Sequence, residues 1–340
     1  MGNTNTTPPE LDERFSEPEG WRWHNFTRPT KDGGRKVRFG SVSPKDSVPD
    51  AVVVCLPGLS EFAEKYYEVA RTCLSKNLAF WTLDWYGQGG SERYLPDRQK
   101  RHGVSFDEDV EDFRYFITEY VKHASVHPDV GRIPMAMLGH SMGATIGLHY
   151  LHKYPDMFEC AAFTGPLLGM KAAKIKAFGA LLPISGTLSS VLGKTYIKNG
   201  APWAKGKRAE SGPEALSNDP ERVKVHGAWF EHKPELQVGS ATYGWLHHAL
   251  KACAQANRPE FLQSLDKSFL LCSAEEEHLV DNERIEQACK QLKRCKHMML
   301  KGARHEILME KDAVRDEFFD AFYALIKETI IDRPETLKPF

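Results

Sequence analysis

The strongest constraint on this 340-residue chain is a series of short apolar runs that alternate with helical segments. The first run, AVVVCLPG at residues 51–58, has no polar face, which is typical of a strand covered by helices on both sides of a sheet. Further strands are predicted at 78–83, 134–139, 160–164, 268–273 and 296–300. Helices are predicted at 64–75, 106–121, 142–153, 282–293 and 311–327. This alternation predicts an α/β fold with a mostly parallel central sheet flanked by helices.

The alternation stops near residue 170 and resumes near residue 265. Residues 171–264 contain no run typical of a buried strand, and they carry 13 Lys and Arg against seven Asp and Glu, a net charge of +6. We therefore expect residues 16–170 and 265–340 to form one α/β core that is interrupted by a helical cap, or lid, at 171–264. Residues 1–15 are polar and contain prolines, which predicts a disordered tail.

Charge and cysteine content limit the functional classes. With 45 Lys and Arg against 46 Asp and Glu, the chain has no basic excess, which argues against a nucleic-acid-binding protein. Seven cysteines without a C-x-x-C pair favour buried thiols, such as Cys55 and Cys272, over a disulfide framework. The chain shows neither a run long and apolar enough to span a bilayer nor a secretory signal, so we expect a cytoplasmic protein.

A serine stands between a predicted strand and a predicted helix in the segment Gly139-His140-Ser141-Met142-Gly143. The G-x-S-x-G pattern matters in this context, because a sharp turn there exposes the serine hydroxyl and requires small neighbouring residues. Backbone N–H groups at the start of the helix, including that of Met142, would face the hydroxyl. The segment predicts that Ser141 is a nucleophile and that the Met142 N–H is one donor to an oxyanion.

A serine nucleophile needs a general base and a carboxylate that orients the base. In this topology both follow late strands, and the acid precedes the base. His305 stands in the loop after the last predicted strand, and no other of the 14 histidines has such a position. The acid should follow the strand at 268–273, where the residues alone leave four carboxylates open. These are Glu275, Glu276, Glu277 and Asp281.

Several further segments carry a family resemblance. They are Pro57-Gly58-Leu59-Ser60-Glu61-Phe62 with Glu64-Lys65-Tyr66, Leu83-Asp84-Trp85-Tyr86-Gly87-Gln88-Gly89-Gly90-Ser91, the serine turn, residues 274–282, and Gly302-Ala303-Arg304-His305-Glu306. With these motifs in this order, the chain resembles the lysophospholipase and monoacylglycerol-lipase family of serine α/β-hydrolases over roughly residues 50–325. The resemblance implies the α/β-hydrolase fold, a Ser–acid–His triad and no cofactor.

The resemblance also implies roles for individual residues. Aligning the family's acid loop with this one places the carboxylate at Glu277, where many relatives have Asp, and leaves Asp281 as the second choice. The second oxyanion donor is then the N–H of Leu59, which follows a Pro57-Gly58 pair where relatives often have His-Gly. Because this donor is a backbone group, the change from His to Pro need not disable it.

Together these features predict a serine hydrolase that cleaves the carboxylic ester of a single-chain lipid, a lysophospholipid or a monoacylglycerol, through an acyl-enzyme. The alternative is a general small-ester hydrolase or a serine peptidase on the same scaffold. No metal is expected, because no His or Cys cluster has zinc-binding spacing. In the cap, Phe178, Leu181 and Leu182 recur at helical spacing and either line an acyl slot or pack on the core. The cap charge of +6 would favour peripheral contact with anionic membrane surfaces.

Overall fold

The structure, a computed structural model, describes residues 7–31, 33–171, 178–206 and 216–333, with the backbone alone for residues 178–181. The strands are β1 (Arg22–Thr30), β2 (Gly33–Val42), β3 (Ala51–Leu56), β4 (Leu78–Leu83), β5 (Val126–His127), β6 (Gly131–Arg132), β7 (Met135–His140), β8 (Cys160–Thr164), β9 (Ser268–Ala274) and β10 (Arg294–Leu300). Eight of them form one sheet in the order β1-β2-β4-β3-β7-β8-β9-β10, and β5 pairs with β6. From β4 to β10 neighbouring strands are parallel, whereas β1–β2 and β2–β4 are antiparallel.

Ten helices are described. They are α1 (Tyr67–Ser75), α2 (Phe106–Phe116), α3 (Lys122–Ala124), α4 (Met142–Lys153), α5 (Phe178–Leu192), α6 (Arg222–His232), α7 (Tyr243–Ala256), α8 (Pro259–Ser264), α9 (Asn282–Gln291) and α10 (Asp312–Ile326). Of these, α1, α2, α4, α9 and α10 lie close to the five predicted positions. A 3₁₀ turn at Ala63–Tyr66 leads into α1, and a π-helical segment at Ile117–Val121 continues α2. The predicted mostly parallel α/β sheet flanked by helices is confirmed.

Strand β3 explains why the sheet has helices on both faces. All six of its residues are buried. Val52 and Val54 belong to a hydrophobic core that also contains residues of α2, α4 and α7, whereas Val53 and Cys55 belong to a second core with residues of α1, α6 and α10. Because successive side chains of a strand point to opposite faces, an unbroken apolar run places one core on each side of the sheet.

The helices predicted to form a cap share these two cores. Trp245 and Leu250 of α7 lie in the first core, and Trp229 of α6 lies in the second. At the start of α6, the buried Arg222 donates two parallel hydrogen bonds, of 2.7 and 2.8 Å, to the Glu68 carboxylate on α1. Such bidentate pairs are geometrically specific as well as strong, so they fix α6 against the core.

Three local features differ from the sequence-based expectations. Phe15 is buried in the second core and Glu13–Phe15 form a 3₁₀ turn, so these residues belong to the folded part and not to the predicted tail. The short β5–β6 pair was not predicted, because two-residue strands leave no periodic pattern. Cys55 and Cys272 are buried free thiols as predicted, whereas Cys289 and Cys295 form a disulfide between α9 and β10.

Among the described residues, no helix has both the length and the apolar character needed to cross a bilayer.

Candidate active site

Ser141 lies at a sharp reversal of the chain between β7 and α4. Its backbone angles are φ 52° and ψ −117°, a conformation that side-chain-bearing residues rarely adopt. Two neighbouring segments hold it there, because the Ser141 N–H donates to the Thr164 carbonyl at 3.0 Å and the Ser141 carbonyl accepts from the Leu167 N–H at 3.2 Å. Strain of this kind costs about 1–3 kcal/mol and persists only where the surrounding structure enforces it.

The glycines on either side allow this reversal to pack closely. A Cβ added at Gly143 would lie 2.3 Å from the Leu56 carbonyl oxygen, at the end of β3. A Cβ added at Gly139 would lie 2.9 Å from Cα of Ala144, in the first turn of α4. Since these neighbours are backbone atoms, they cannot move aside as a flexible side chain would. The small residues of the G-x-S-x-G pattern are thus a packing requirement.

His305 follows β10 and contacts both of its predicted partners. Its Nε2 lies 3.0 Å from Ser141 Oγ, and its Nδ1 lies 2.7 Å from Glu277 Oε2. The three side chains come from loops after β7, β9 and β10, and all three residues are buried. The structure therefore brings Ser141, His305 and Glu277 together in one hydrogen-bonded chain.

Glu277 is held in its ionised form. Its Oε1 accepts hydrogen bonds from the backbone N–H groups of residues 278, 279 and 280, at 2.9, 2.7 and 3.3 Å. Burial alone would raise the pKa of Glu277, but the charge and hydrogen bond of His305, with the hydrogen bonds from the Leu279 and Val280 N–H groups, lower it to about 2. The carboxylate is therefore a permanent acceptor for the Nδ1–H of His305.

The opposing effects on His305 leave its imidazole a stronger base than usual. Burial lowers the pKa of His305, but the charge and hydrogen bond of Glu277 outweigh burial, and the net shift is upward. Because Glu277 accepts from Nδ1–H, the neutral imidazole has its free lone pair on Nε2, directed at the hydroxyl of Ser141. This is the tautomer that can accept a proton from Ser141.

The other three candidate acids are bonded elsewhere. Asp281 caps α9 by accepting from the Glu283 N–H at 3.1 Å, and it lies 3.6 Å from Arg284. Glu275 accepts from the Gly302 N–H at 2.9 Å, and Glu276 forms an ion pair with Arg304 at 3.2 Å. Of the four, all of which are described, Glu277 is the one whose carboxylate contacts His305.

The two predicted oxyanion donors lie in the loop after β3 and at the start of α4. Met142 is the first residue of α4, so its N–H has no acceptor within the helix. Leu59 lies in the loop after β3 and is half-buried. The N–H groups on both sides of Leu59 are engaged, that of Gly58 by the Glu61 carboxylate and that of Ser60 by the Gln88 side chain.

A buried charged cluster beside the site was not anticipated. Lys65 Nζ bonds to Glu61 Oε1 at 2.5 Å and to Glu306 Oε2 at 2.8 Å, and Tyr66 Oη also donates to Glu61. His140 lies next to these carboxylates. One ring nitrogen of His140 and one carboxylate oxygen each of Glu61 and Glu306 lie within 4.8 Å of one another. The Lys65 ammonium contributes one positive charge between these two carboxylates. Burial lowers the pKa of His140 to about 4, so that imidazole is neutral near pH 7.

The predicted acyl-slot residues lie on α5. The side chains of Phe178 and Leu181 lie outside the described part of the structure. Leu182 is half-buried and packs against the first core.

A family model described as "Serine aminopeptidase, S33" matches residues 47–312, well over half of the chain. The chain belongs to this family. It is 29% identical over 276 residues to lysophospholipase L2 of Escherichia coli K12, covering 78% of this chain and 77% of that protein. It is 30% identical over 210 residues to the monoacylglycerol lipase of Mycolicibacterium smegmatis, covering 62% of this chain and 66% of that protein.

Solved structures give the same fold. A soluble variant of monoglyceride lipase from Saccharomyces cerevisiae, solved with a substrate analog, superposes with a TM-score of 0.70 at 16% identity, covering 94% of this chain and all of that one. At such low sequence identity the superposition shows only that the two proteins share a fold, and that fold is the α/β-hydrolase fold. The family match and the two sequence relatives confirm the predicted family resemblance.

The contact between His305 and Glu277 predicts a measurable change in pKa. Replacing Glu277 by Gln removes the negative charge but leaves the imidazole buried, so the pKa of His305 should fall below its ordinary value of about 6.5. Histidine NMR titration of the folded variants measures this value directly. The matched variant Asp281→Asn should leave the pKa of His305 unchanged. A shift in Asp281→Asn but not in Glu277→Gln would mean that Asp281 is the partner of the base.

Proposed function

We propose that this protein hydrolyses the carboxylic ester of a lipid with one acyl chain, and that Ser141, His305 and Glu277 perform the reaction. The observation that carries the proposal is the continuous contact from Ser141 Oγ through His305 to Glu277, at 3.0 and 2.7 Å. Membership of a serine hydrolase family and similarity to a lysophospholipase and a monoacylglycerol lipase support the same conclusion.

In the proposed mechanism, Ser141 Oγ attacks the ester carbonyl carbon as its proton passes to His305 Nε2. The N–H groups of Leu59 and Met142 stabilise the oxyanion that forms. When the ester C–O bond breaks, His305 returns the proton to the leaving alcohol, and the acyl group remains on Ser141. Water then attacks the acyl-enzyme with His305 again as base, which releases the fatty acid. Glu277 orients the imidazole and stabilises its protonated form throughout.

The family description names an aminopeptidase, which is the main alternative. An aminopeptidase must recognise a charged amino group, and a buried carboxylate is the usual means. The two buried carboxylates of the cluster beside the site, Glu61 and Glu306, both already bond to Lys65. The two sequence relatives, a lysophospholipase and a monoacylglycerol lipase, are instead named for lipid substrates. Hydrolysis of a lipid ester therefore has stronger support than an aminopeptidase activity.

Lysophospholipids and monoacylglycerols share one feature, a single acyl chain esterified to a glycerol unit. We infer that this protein selects for that chain and that residues 171–264 act as the cap over it. We propose that Leu182 contacts the acyl chain of the substrate, together with Phe178 and Leu181 on the same helix. Each CH₂ group that leaves water contributes about 0.8 kcal/mol, so an apolar slot would favour long chains strongly.

The proposed reaction can be tested on a long-chain lysophospholipid, the monoacylglycerol with the same chain, and a soluble short-chain ester. Replacing Ser141 by Ala should lower kcat by about 10³-fold or more on every substrate, because the nucleophile is lost. Ser75→Ala, at the exposed end of α1, is the matched control and should keep full activity.

Substrate preference comes from the same assay. The wild-type protein should prefer the long-chain lipids, and Leu182→Asp should lower long-chain rates more than short-chain rates. Preference for the short-chain ester, or for an aminoacyl anilide, would favour the alternative functions. Substantial esterase activity in Ser141→Ala would rule out the assigned nucleophile.

We also propose that α5 contacts anionic lipid surfaces. This helix has no charged residue over 15 positions, yet Ile184 and Val191 are 56% and 77% exposed. Lys194 and Lys198 follow it directly, and the cap as a whole carries a formal charge of +6. An exposed apolar surface beside basic residues is the usual composition of a segment that lies in a membrane interface.

Replacing Val191 by Asp should weaken binding to phosphatidylglycerol vesicles by about tenfold or more, because it removes an apolar group and adds a repelled charge. The matched control is Val130→Asp, since Val130 is also exposed but lies between β5 and β6. Vesicle co-sedimentation at low and high salt provides the measurement, and 1 M salt should weaken binding of the wild-type protein. Equal losses in the two variants would show that α5 is not the contact surface.

A further inference from the structure

The side chain of Gln88 makes four hydrogen bonds beside the oxyanion loop, residues 58–61. Gln88 lies in the loop after β4 and has no exposed surface. Its Nε2 donates to the carbonyls of Gly58 and Glu61, at 2.8 and 2.7 Å. Its Oε1 accepts from the Ser60 N–H at 3.1 Å and from Arg101 Nε at 2.8 Å. An amide of this kind can satisfy all its polar groups only at one position and in one orientation.

The partners of Gln88 also decide which way its amide faces. The Ser60 N–H and the Arg101 guanidinium are donors only, so they must meet the amide oxygen. The carbonyls of Gly58 and Glu61 are acceptors only, so they must meet the NH₂ group. A flipped amide would set donors against donors and acceptors against acceptors. The orientation is therefore fixed by the loop and by Arg101 together.

The peptide that contains the proposed oxyanion donor is held through the Gly58 carbonyl, which accepts from Gln88 Nε2 at 2.8 Å and from the Glu61 N–H at 3.3 Å. The carbonyl of Gly58 and the N–H of Leu59 belong to the same planar peptide group, and in a trans peptide they point in opposite directions. When Gln88 Nε2 binds the Gly58 carbonyl, the Leu59 N–H must point away from Gln88. The same bond polarises the peptide and makes its N–H a better donor.

The adjoining peptide groups are fixed as well, so the orientation cannot relax by rotation of a neighbour. The Gly58 N–H donates to the Glu61 carboxylate. Ser60 has φ 62°, a left-handed conformation that is uncommon for a residue with a side chain, and its N–H is bound by Gln88. Arg101, which binds Gln88, also contacts the residue with the other proposed oxyanion donor, because its Nη2 lies 3.7 Å from the side-chain sulfur of Met142.

We propose that Gln88 is a positioning residue for catalysis, which sets the direction of the Leu59 N–H toward the developing oxyanion. This inference rests on the proposed ester hydrolysis and adds to it a residue that touches neither substrate nor triad. Because an oxyanion exists only in the transition state and its intermediate, Gln88 should affect kcat and leave substrate binding nearly unchanged.

Two variants separate the functions of the amide. Gln88→Met removes all four hydrogen bonds at similar volume. Gln88→Glu keeps the acceptors for Ser60 and Arg101 but loses the donors to Gly58 and Glu61. The matched control is Asn257→Leu, because Asn257 is also an amide that donates to two carbonyls, those of Leu168 and Cys253, at the far end of α7.

Each variant is assayed for kcat and KM on the soluble short-chain ester, for thermal stability, and for affinity toward a trifluoromethyl ketone, which forms an oxyanion with the serine. Losing one oxyanion donor costs about 10²–10³ in kcat, so misdirecting one should cost about 10–10². We expect this loss in both Gln88 variants, with KM within about threefold and ketone affinity reduced by a similar factor. Asn257→Leu should lose stability alone.

Unchanged kcat in a folded Gln88→Met or Gln88→Glu would overturn the proposal. So would a rise in KM with unchanged ketone affinity, since that pattern indicates a general distortion of the site. Failure of the proposed function is distinguishable, because it would show in the wild-type protein itself: either no ester hydrolysis that Ser141→Ala abolishes, or a preference for the short-chain ester or an aminoacyl anilide over the lipids.

Discussion

The carboxyl edge of the parallel sheet is the constraint on which this site depends. Strands β3, β7, β9 and β10 all end at that edge, and the loops that follow them contain Leu59, Ser141, Glu277 and His305 respectively. Residues 164 positions apart, such as Ser141 and His305, meet there at hydrogen-bonding distance only because parallel strands end together. The buried apolar face on each side of β3 holds this edge in place. A site built on strand ends is more rigid than one built on long loops, which catalysis by fixed geometry requires.

Buried charge is the cost of this arrangement, and the structure compensates it locally. An isolated carboxylate inside a protein costs several kcal/mol unless it is paired or hydrogen-bonded. Glu277 is compensated by three backbone N–H groups and His305, and Glu61 and Glu306 share Lys65. Lys65 thereby joins the oxyanion loop to the loop of His305. The groups that would react and the loops that hold them thus belong to one polar network.

The sequence was enough to predict the elements that depend on local pattern. The strands and helices of the core appear within a few residues of their predicted positions, because continuous apolar runs and helical periodicity reflect burial directly. The choice among the four acids after β9 needed the family resemblance. The carboxylates of Glu277 and Asp281 lie four positions apart in one loop, and only tertiary structure separates a partner of His305 from the cap of α9.

The features that could not be predicted depend on contacts between distant segments. Gln88 reads as one residue of a glycine-rich loop, since its partners at Gly58, Ser60 and Glu61 are backbone groups that leave no pattern in sequence. The pairing of Cys289 with Cys295 and the burial of Phe15 depend on packing in the same way. For residues 171–264 the composition indicated helices. It could not predict that the ion pair between Arg222 and Glu68 holds α6 against α1.

The central claim is that Ser141 is a nucleophile activated by His305. Reaction of the intact protein with a fluorophosphonate, followed by peptide mass spectrometry, tests it most directly, because the reagent marks an activated serine without any assumption about the natural substrate. The account predicts a single covalent adduct on Ser141, with labelling slowed by orders of magnitude when His305 is replaced by Ala. An adduct on another residue, or labelling of Ser141 at the same rate without His305, would contradict it.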